Sequence, residues 1–167
     1  INVPENGSYR ILTIGEGTDE RNFVSISLDT SLEFIPVIDE FEASYRFLGG
    51  NESTLWFFSN LNAPNGKILS LEIDDQNFKW NELIAEKDFP ISTASIAGDK
   101  LIINYLKDTI SKVQFYNLKG DFLEELDFEG QGSLSGFNGK LGNSISYFEF
   151  SNFTSPQKIY ELNLDSL

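Results

Sequence analysis

The 167-residue chain contains no cysteine, no histidine and no methionine, and only 5 prolines. Each absence excludes a class of chemistry. Without cysteine there is no disulfide framework, and without cysteine and histidine there is no Cys/His zinc site. Without histidine the chain cannot assemble a Ser-His-Asp or Cys-His centre from its own residues. Bases are scarce too: 12 Lys and Arg stand against 26 Asp and Glu, a formal net charge of −14. Nucleic-acid binding needs clustered cations that displace counterions. The few here are scattered, so no nucleic-acid partner is expected. No apolar run nears the ~20 residues of a membrane helix; Leu55-Trp56-Phe57-Phe58 is typical of the longest. No membrane partner is expected either. A chain without any methionine reads as a piece of something longer.

What is present points to a packed, strand-rich core. Apolar residues make up 40% of the chain and aromatics 14%, with 15 Phe, 6 Tyr and 2 Trp. That aromatic load suits strands, whose faces accept large flat side chains. The length fits one domain of ordinary size.

The most informative feature is a period of about 45 residues. Val24–Asp29, Leu69–Asp74, Gln114–Lys119 and Tyr160–Asp165 share one pattern, and their last residues are spaced 74 − 29 = 45, 119 − 74 = 45 and 165 − 119 = 46 apart. Leu28, Ile73, Leu118 and Leu164 fall in one register, and Ile26, Leu71, Tyr116 and Leu162 in another. Gln114 is the exception in a column otherwise filled by Val24, Leu69 and Tyr160. Alternation with a period of two sets these side chains on one face of a strand. Before each segment lies a strand apolar on both faces: Tyr9–Ile14, Leu55–Phe58, Leu101–Leu106 and Ile145–Phe150. Such strands are expected to be buried on both faces. A more polar strand follows at Leu32–Ile38, Lys79–Ile84 and Phe122–Phe128, and another precedes at Tyr45–Leu48, Thr93–Ala97 and Leu134–Phe137. Gly and Asn punctuate the joints.

Four strands per 45-residue unit is the period and content of a β-propeller blade. The expected fold is therefore all-β, a partial β-propeller of about three and a half four-stranded antiparallel blades. The expected blades are 1–40 (incomplete), 41–88, 89–129 and 130–167 (incomplete), forming a single propeller fragment. A β-sandwich also uses short, evenly spaced strands, but does not require repeats in register. Trp80, Leu83 and Ile84 also fit helical spacing, although the repeat favours a strand there.

Other features read as structure rather than sites. Gly130-x-Gly132-x-x-x-Gly136 lacks the following helix that phosphate binding uses and reads as a turn between blades. Asp39-Glu40, Asp74-Asp75 and Glu124-Glu125 lack the alternating ligands of a calcium loop. With 26 acids, a pair at glycosidase separation will arise by chance. Asn6-Gly7-Ser8, Asn51-Glu52-Ser53 and Asn152-Phe153-Thr154 are formal glycosylation sequons. Trp56 and Trp80 read as packing residues. No metal or cofactor is expected.

Several stretches carry a family resemblance. Phe58-Ser59-Asn60-Leu61-Asn62-Ala63-Pro64-Asn65-Gly66-Lys67-Ile68-Leu69 resembles a propeller hairpin of the prolyl oligopeptidase (prolyl endopeptidase) family. Tyr105-Leu106-Lys107-Asp108 resembles a turn of that family, and Gly130–Lys140 its Gly-rich crossing between blades. Phe148-Glu149-Phe150-Ser151-Asn152-Phe153-Thr154-Ser155-Pro156-Gln157-Lys158-Ile159-Tyr160 is similar to its Phe-x-Phe-(Thr/Ser)-x-Phe-(Thr/Ser)-x-Pro-x-x-Ile-Tyr signature. The order and spacing hold from about Tyr9 to Leu164, as expected of the later half of the family's N-terminal propeller.

The resemblance implies a serine peptidase that cleaves short peptides after proline. It implies an α/β-hydrolase catalytic domain and a propeller of about seven blades that covers the active site and filters substrates. This chain would then carry no catalytic residue. Its partners would be that hydrolase domain and the remaining blades of the parent, with short peptides as the parent's substrates. Ile14-Gly15-Glu16-Gly17-Thr18-Asp19 is the nearest match to the family's pocket-rim loop. Some relatives have Arg where this chain has Gly15 and Cys where it has Thr18. Gly15 and Thr18 would line the substrate-pocket rim without that charge or thiol. The runner-up is a free-standing propeller-type module that binds a peptide or protein. In either case an open arc leaves apolar faces and strand edges uncovered, so the isolated chain is expected to self-associate.

Overall fold

The computed structural model describes residues 1–4, 9–28, 31, 33–74, 77–128, 130, 132–154 and 156–167. The Asn6-Gly7-Ser8 sequon, Asp29, Leu32, Asp75, Gln131 and Ser155 lie outside the described residues. Fourteen strands form four antiparallel sheets among those described. The chain divides into two compact units, 1–87 and 88–167.

Unit 1 holds two sheets. The first is β1 (Tyr9–Gly15), β2 (Asn22–Leu28) and β3 (Ile35–Ile38), in that order. A two-hydrogen-bond bridge from Asn2 to Ile11 marks the place that a further strand takes in the next sheet. That sheet is β4 (Tyr45–Gly50), β5 (Thr54–Ser59), β6 (Lys67–Asp74) and β7 (Asn77–Ile84). The alternating columns meet across β5 and β6 as expected, with Leu55 opposite Leu71 and Phe57 opposite Leu69. These four pack against Ile11, Val24 and Ile26 of the first sheet. Burial of such side chains stabilises by roughly 1.5–3 kcal/mol each. Trp80 belongs to a strand, opposite Leu71, not to a helix. Its ring meets Phe57 at 5.1 Å, and its indole N–H donates to the Val37 carbonyl at 3.2 Å.

Unit 2 repeats the plan. Its first sheet is β8 (Ile91–Ala97), β9 (Lys100–Lys107), β10 (Ile110–Asn117) and β11 (Phe122–Glu125). Its second is β12 (Ser133–Asn138), β13 (Ile145–Ser151) and β14 (Lys158–Asn163). Ile102, Val113 and Phe115 pack against Phe137, Phe148 and Phe150. Phe137 stacks on Phe148 at 4.9 Å, and Phe148 on Tyr160 at 5.2 Å. Phe128 closes this group edge-on to Phe148 and Tyr160. Phe137 has φ of +59°, a left-handed conformation that costs a non-glycine residue roughly 1–2 kcal/mol. The fully packed ring offsets that cost.

A register shift recurs within β4, β8 and β12, the first strand of each of the last three sheets. Another recurs where the second-to-last strand meets the last in the first three sheets. Such bulges sharpen strand twist, which a wedge-shaped sheet needs.

Two expectations are corrected. Burial on both faces holds for β9, where Leu101 to Tyr105 are all buried, and nearly so for β5. It fails for β1 and β13, which bury alternate residues. Ile14, Ile145 and Tyr147 are 48%, 44% and 55% exposed, because the second faces of these strands open to solvent. The last strand of the third sheet ends at Glu125 rather than Phe128. Leu126 and Phe128 instead turn into the core of unit 2.

Candidate functional site: the hairpin loop between β1 and β2

The sequence-derived rim residues fall on one loop. Gly15 ends β1 and pairs with Asn22, which opens β2. Between them, residues 16–21 are all exposed. The Asp19 amide donates to the Glu16 carbonyl at 3.1 Å, closing a four-residue turn with Gly17 at φ +59°. Glycine takes that conformation at no steric cost. Thr18 sits at the tip of this turn. A Cβ added at Gly15 would lie 3.8 Å from the Arg21 carbonyl oxygen, an ordinary contact, so a larger side chain fits there.

Sequence reasoning missed three residues that organise the loop. Arg21 makes a fork with Asp19: Nε to Oδ1 at 3.0 Å and Nη2 to Oδ2 at 2.6 Å. Its guanidinium also lies 4.9 Å from the centre of the Phe41 ring, and Phe41 meets Phe23 at 5.1 Å. Hydrogen bonds from Arg21 hold the Asp19 carboxyl at about 2, below its ordinary value of 3.8. The same pairing raises Arg21. Asn22 then ties the loop root to the neighbouring sheet. Its Nδ2 donates to the Tyr45 carbonyl at 3.0 Å, and its Oδ1 accepts from the Tyr45 amide at 3.0 Å. Its own amide donates to the Ala43 carbonyl at 3.0 Å. The readable signal is an Asp-x-Arg-Asn run closing a loop whose opening residue is glycine.

The loop can bind and orient; it holds no nucleophile beside a base. Among the described residues no group of three or more carboxylates is placed to hold a metal ion. The loop is itself acidic, with Glu16, Asp19 and Glu20 among its six residues. Its one cation, Arg21, is already paired.

Comparison with known proteins agrees with this architecture. The prolyl endopeptidase of Elizabethkingia miricola is 27% identical over 165 residues, covering 98% of this chain and 23% of its own length. That of Dictyostelium discoideum is 26% identical over 155 residues, covering 86% of this chain and 20% of its own. The chain thus spans about a quarter or less of the curated relatives it matches. A structure solved in a study of two prolyl endopeptidases superposes with a TM-score of 0.91 at 28% identity, over 98% of this chain and 25% of that one. The apo prolyl oligopeptidase B of Galerina marginata shares the fold, with a TM-score of 0.89 at 19% identity, over 99% of this chain and 24% of that one. The family described as the prolyl oligopeptidase N-terminal β-propeller domain matches residues 1–166. With four sheets in sequence order and a match that runs almost from end to end, this chain belongs to that family of propeller domains.

Proposed function

We propose that the chain is the non-catalytic propeller portion of a prolyl-oligopeptidase-like serine peptidase, where it covers the active site and restricts access to short proline-containing peptides. The observation that carries this reading is the propeller-family match over residues 1–166, joined to a chain with no histidine. The four sheets are four consecutive blades, about 1–40, 41–88, 89–129 and 130–167, in a ring of about seven. The first and last are incomplete. An α/β-hydrolase domain of the parent supplies nucleophile and base. Loop 16–21 faces the peptide path, with Gly15 and Thr18 on the rim. A ring of stiff sheets filters substrates sterically, because a folded protein cannot thread between its loops.

The partly open face of β13, with Ile145, Tyr147 and the neighbouring Ile159 at 44%, 55% and 70% exposure, supports self-association of the isolated chain. Sedimentation at rising concentration tests this, and a strictly monomeric species would count against it. For the main reading, a chromogenic Gly-Pro substrate is offered to the chain alone and to the full-length parent. Turnover is expected from the parent only. Turnover by the purified chain, or none by the parent, would overturn the proposal.

A further inference from the structure

The same polar staple joins the two sheets of each unit, and its setting differs. In unit 2 the Ser111 amide donates to the Gly132 carbonyl at 3.3 Å, and Ser111 Oγ accepts from the Leu134 amide at 2.9 Å. Asn104 Nδ2 donates to the Leu134 carbonyl at 2.7 Å. In unit 1 Asn22 makes all three of the corresponding bonds, to Ala43 and Tyr45. Each staple thus satisfies both backbone groups of the residue at or near the start of the next sheet.

The loops rooted at these staples are unlike. Beside Ser111, the β9–β10 turn consists of Asp108 and Thr109, at φ +50° and +67°. A two-residue turn with both residues left-handed is a stiff hairpin that sets its own geometry. It needs no external anchor. Loop 16–21 has six exposed residues and one internal backbone hydrogen bond among those described. The Asp19–Arg21 fork ties the loop to its own last residue, so where the loop as a whole sits depends on where its ends are held. One end, Gly15, has no side chain. The other end, Asn22, carries both donor and acceptor to β4, immediately after Arg21, which rests on Phe41 of the adjoining link.

We propose that Asn22 is a positioning residue that sets loop 16–21 against the neighbouring sheet, and so fixes how this rim meets an incoming peptide. Asn22 does not touch substrate; it acts through the loop. The inference rests on the proposed peptidase function of the parent. Its substrate consequence is specific. Peptides long enough to reach the rim should sense the loop, while a dipeptide-sized substrate should not, because remote contacts act only on ligands that make them.

The test uses the full-length parent with Asn22→Ala and Asn22→Ser. Two substrates are compared, a chromogenic Gly-Pro dipeptide and a peptide of about ten residues with an internal proline. Limited trypsin cleavage after Arg21 reports loop order independently. Asn22→Ala is expected to raise KM for the long peptide roughly three- to tenfold, the loss of two hydrogen bonds, with the change confined to that KM. Nicking at Arg21 should accelerate several-fold. Asn22→Ser keeps an acceptor for the Tyr45 amide, as Ser111 does for Leu134, and should recover part of both effects. Equal loss on both substrates would assign Asn22 a purely structural role and overturn the inference. So would unchanged KM values, with or without faster nicking. If the unaltered parent cleaves neither substrate, the proposed function fails, and this inference fails with it.

Discussion

Units 1 and 2 have one architecture and two ways of holding it. In unit 1 the sheets meet through aliphatic side chains around Phe57 and Trp80, and one residue, Asn22, staples both backbone groups of Tyr45. In unit 2 they meet through a run of stacked rings, and two residues, Ser111 and Asn104, divide the staple. Asn104 is 3% exposed and its Oδ1 has no hydrogen-bond partner among the described residues. Dividing the work thus leaves a buried acceptor unsatisfied, at a cost of about 1–3 kcal/mol. The staple of unit 1 avoids that cost, since both amide atoms of Asn22 are bonded, but it concentrates the joint in a residue that also roots an exposed loop. The difference teaches that the repeat conserves the bonds to be made, not the residues that make them.

The largest effect expected from breaking this comparison lies in the rings. Phe148 touches Phe128, Phe137 and Tyr160. Phe148→Ala should destabilise unit 2 by about 3–5 kcal/mol, the usual range for a buried phenylalanine, read by far-UV circular dichroism in urea. Both tryptophans, Trp56 and Trp80, lie in unit 1, so tryptophan fluorescence follows that unit separately. A loss below about 1 kcal/mol would deny the stack its place as the core of unit 2.

The staples come next. Asn22→Ala leaves both the amide and carbonyl of Tyr45 without their side-chain partner and should cost about 2 kcal/mol. Ser111→Ala strips the Leu134 amide of its side-chain partner and removes a long 3.5 Å bond from Ser111 Oγ to the Leu134 carbonyl, which Asn104 still holds at 2.7 Å, and should cost about 1 kcal/mol. Urea midpoints of the two variants test the order. If Ser111→Ala were the more damaging, the shared staple would not be a true division of labour.

These two levels also mark how far the sequence could be read. The 45-residue period located all fourteen strands, because apolar residues recur in register from one unit to the next, whether alternating or in unbroken runs. Leu55, Phe57, Leu69 and Leu71 are apolar and buried, as their pattern requires. The staples were invisible, because Asn22 and Ser111 do the same task with different chemistry at positions where turns make polar residues ordinary. The open faces of β1 and β13 were misread for another reason. Ile14 and Ile145 are as apolar as their buried counterparts, and residue type does not report whether a neighbouring sheet is present. For the proposed site, the family likeness pointed to Gly15 and Thr18, which fall on one loop, whereas Asp19, Arg21 and Asn22 matter through geometry that forms only when the loop closes.

Gln114, the polar exception in an otherwise apolar column, gives a smaller test of unit 2. Its Oε1 accepts from the Tyr116 hydroxyl at 2.7 Å, and its Nε2 donates to Glu125 at 2.9 Å. Lys112 reaches the same carboxylate at 3.0 Å. The two bonds to Glu125 tie β11 to β10; all four residues of β11 are exposed, so that little burial fixes that strand. Gln114→Leu restores the column and removes the Gln114 bonds to Tyr116 and Glu125. It should lower stability by about 1 kcal/mol or less, while hydrogen exchange in Phe122–Glu125 accelerates. Unchanged exchange there would mean that the backbone ladder alone holds the edge.

The smallest effect concerns the charge that organises the loop of unit 1. Asp19 lies in an exposed loop, yet the Arg21 fork holds its carboxyl at about 2 against an ordinary 3.8. A depressed carboxyl contributes to the folded loop above the ordinary value, and that contribution is lost as pH falls through the depressed one. Loop order should therefore persist at pH ~3, where free carboxyls are largely protonated, and fade only near 2. A carboxyl-carbon NMR titration of Asp19 reads this directly. Arg21→Lys should return the midpoint towards the ordinary value, because a lysine ammonium cannot reproduce the planar two-point fork. The counterpart turn in unit 2, set by the left-handed pair Asp108 and Thr109, should keep its geometry across the same range. If both loops lost order together, protonation would be acting on something broader than the Asp19–Arg21 pair, and the contrast between a self-set turn and a tethered loop would fail.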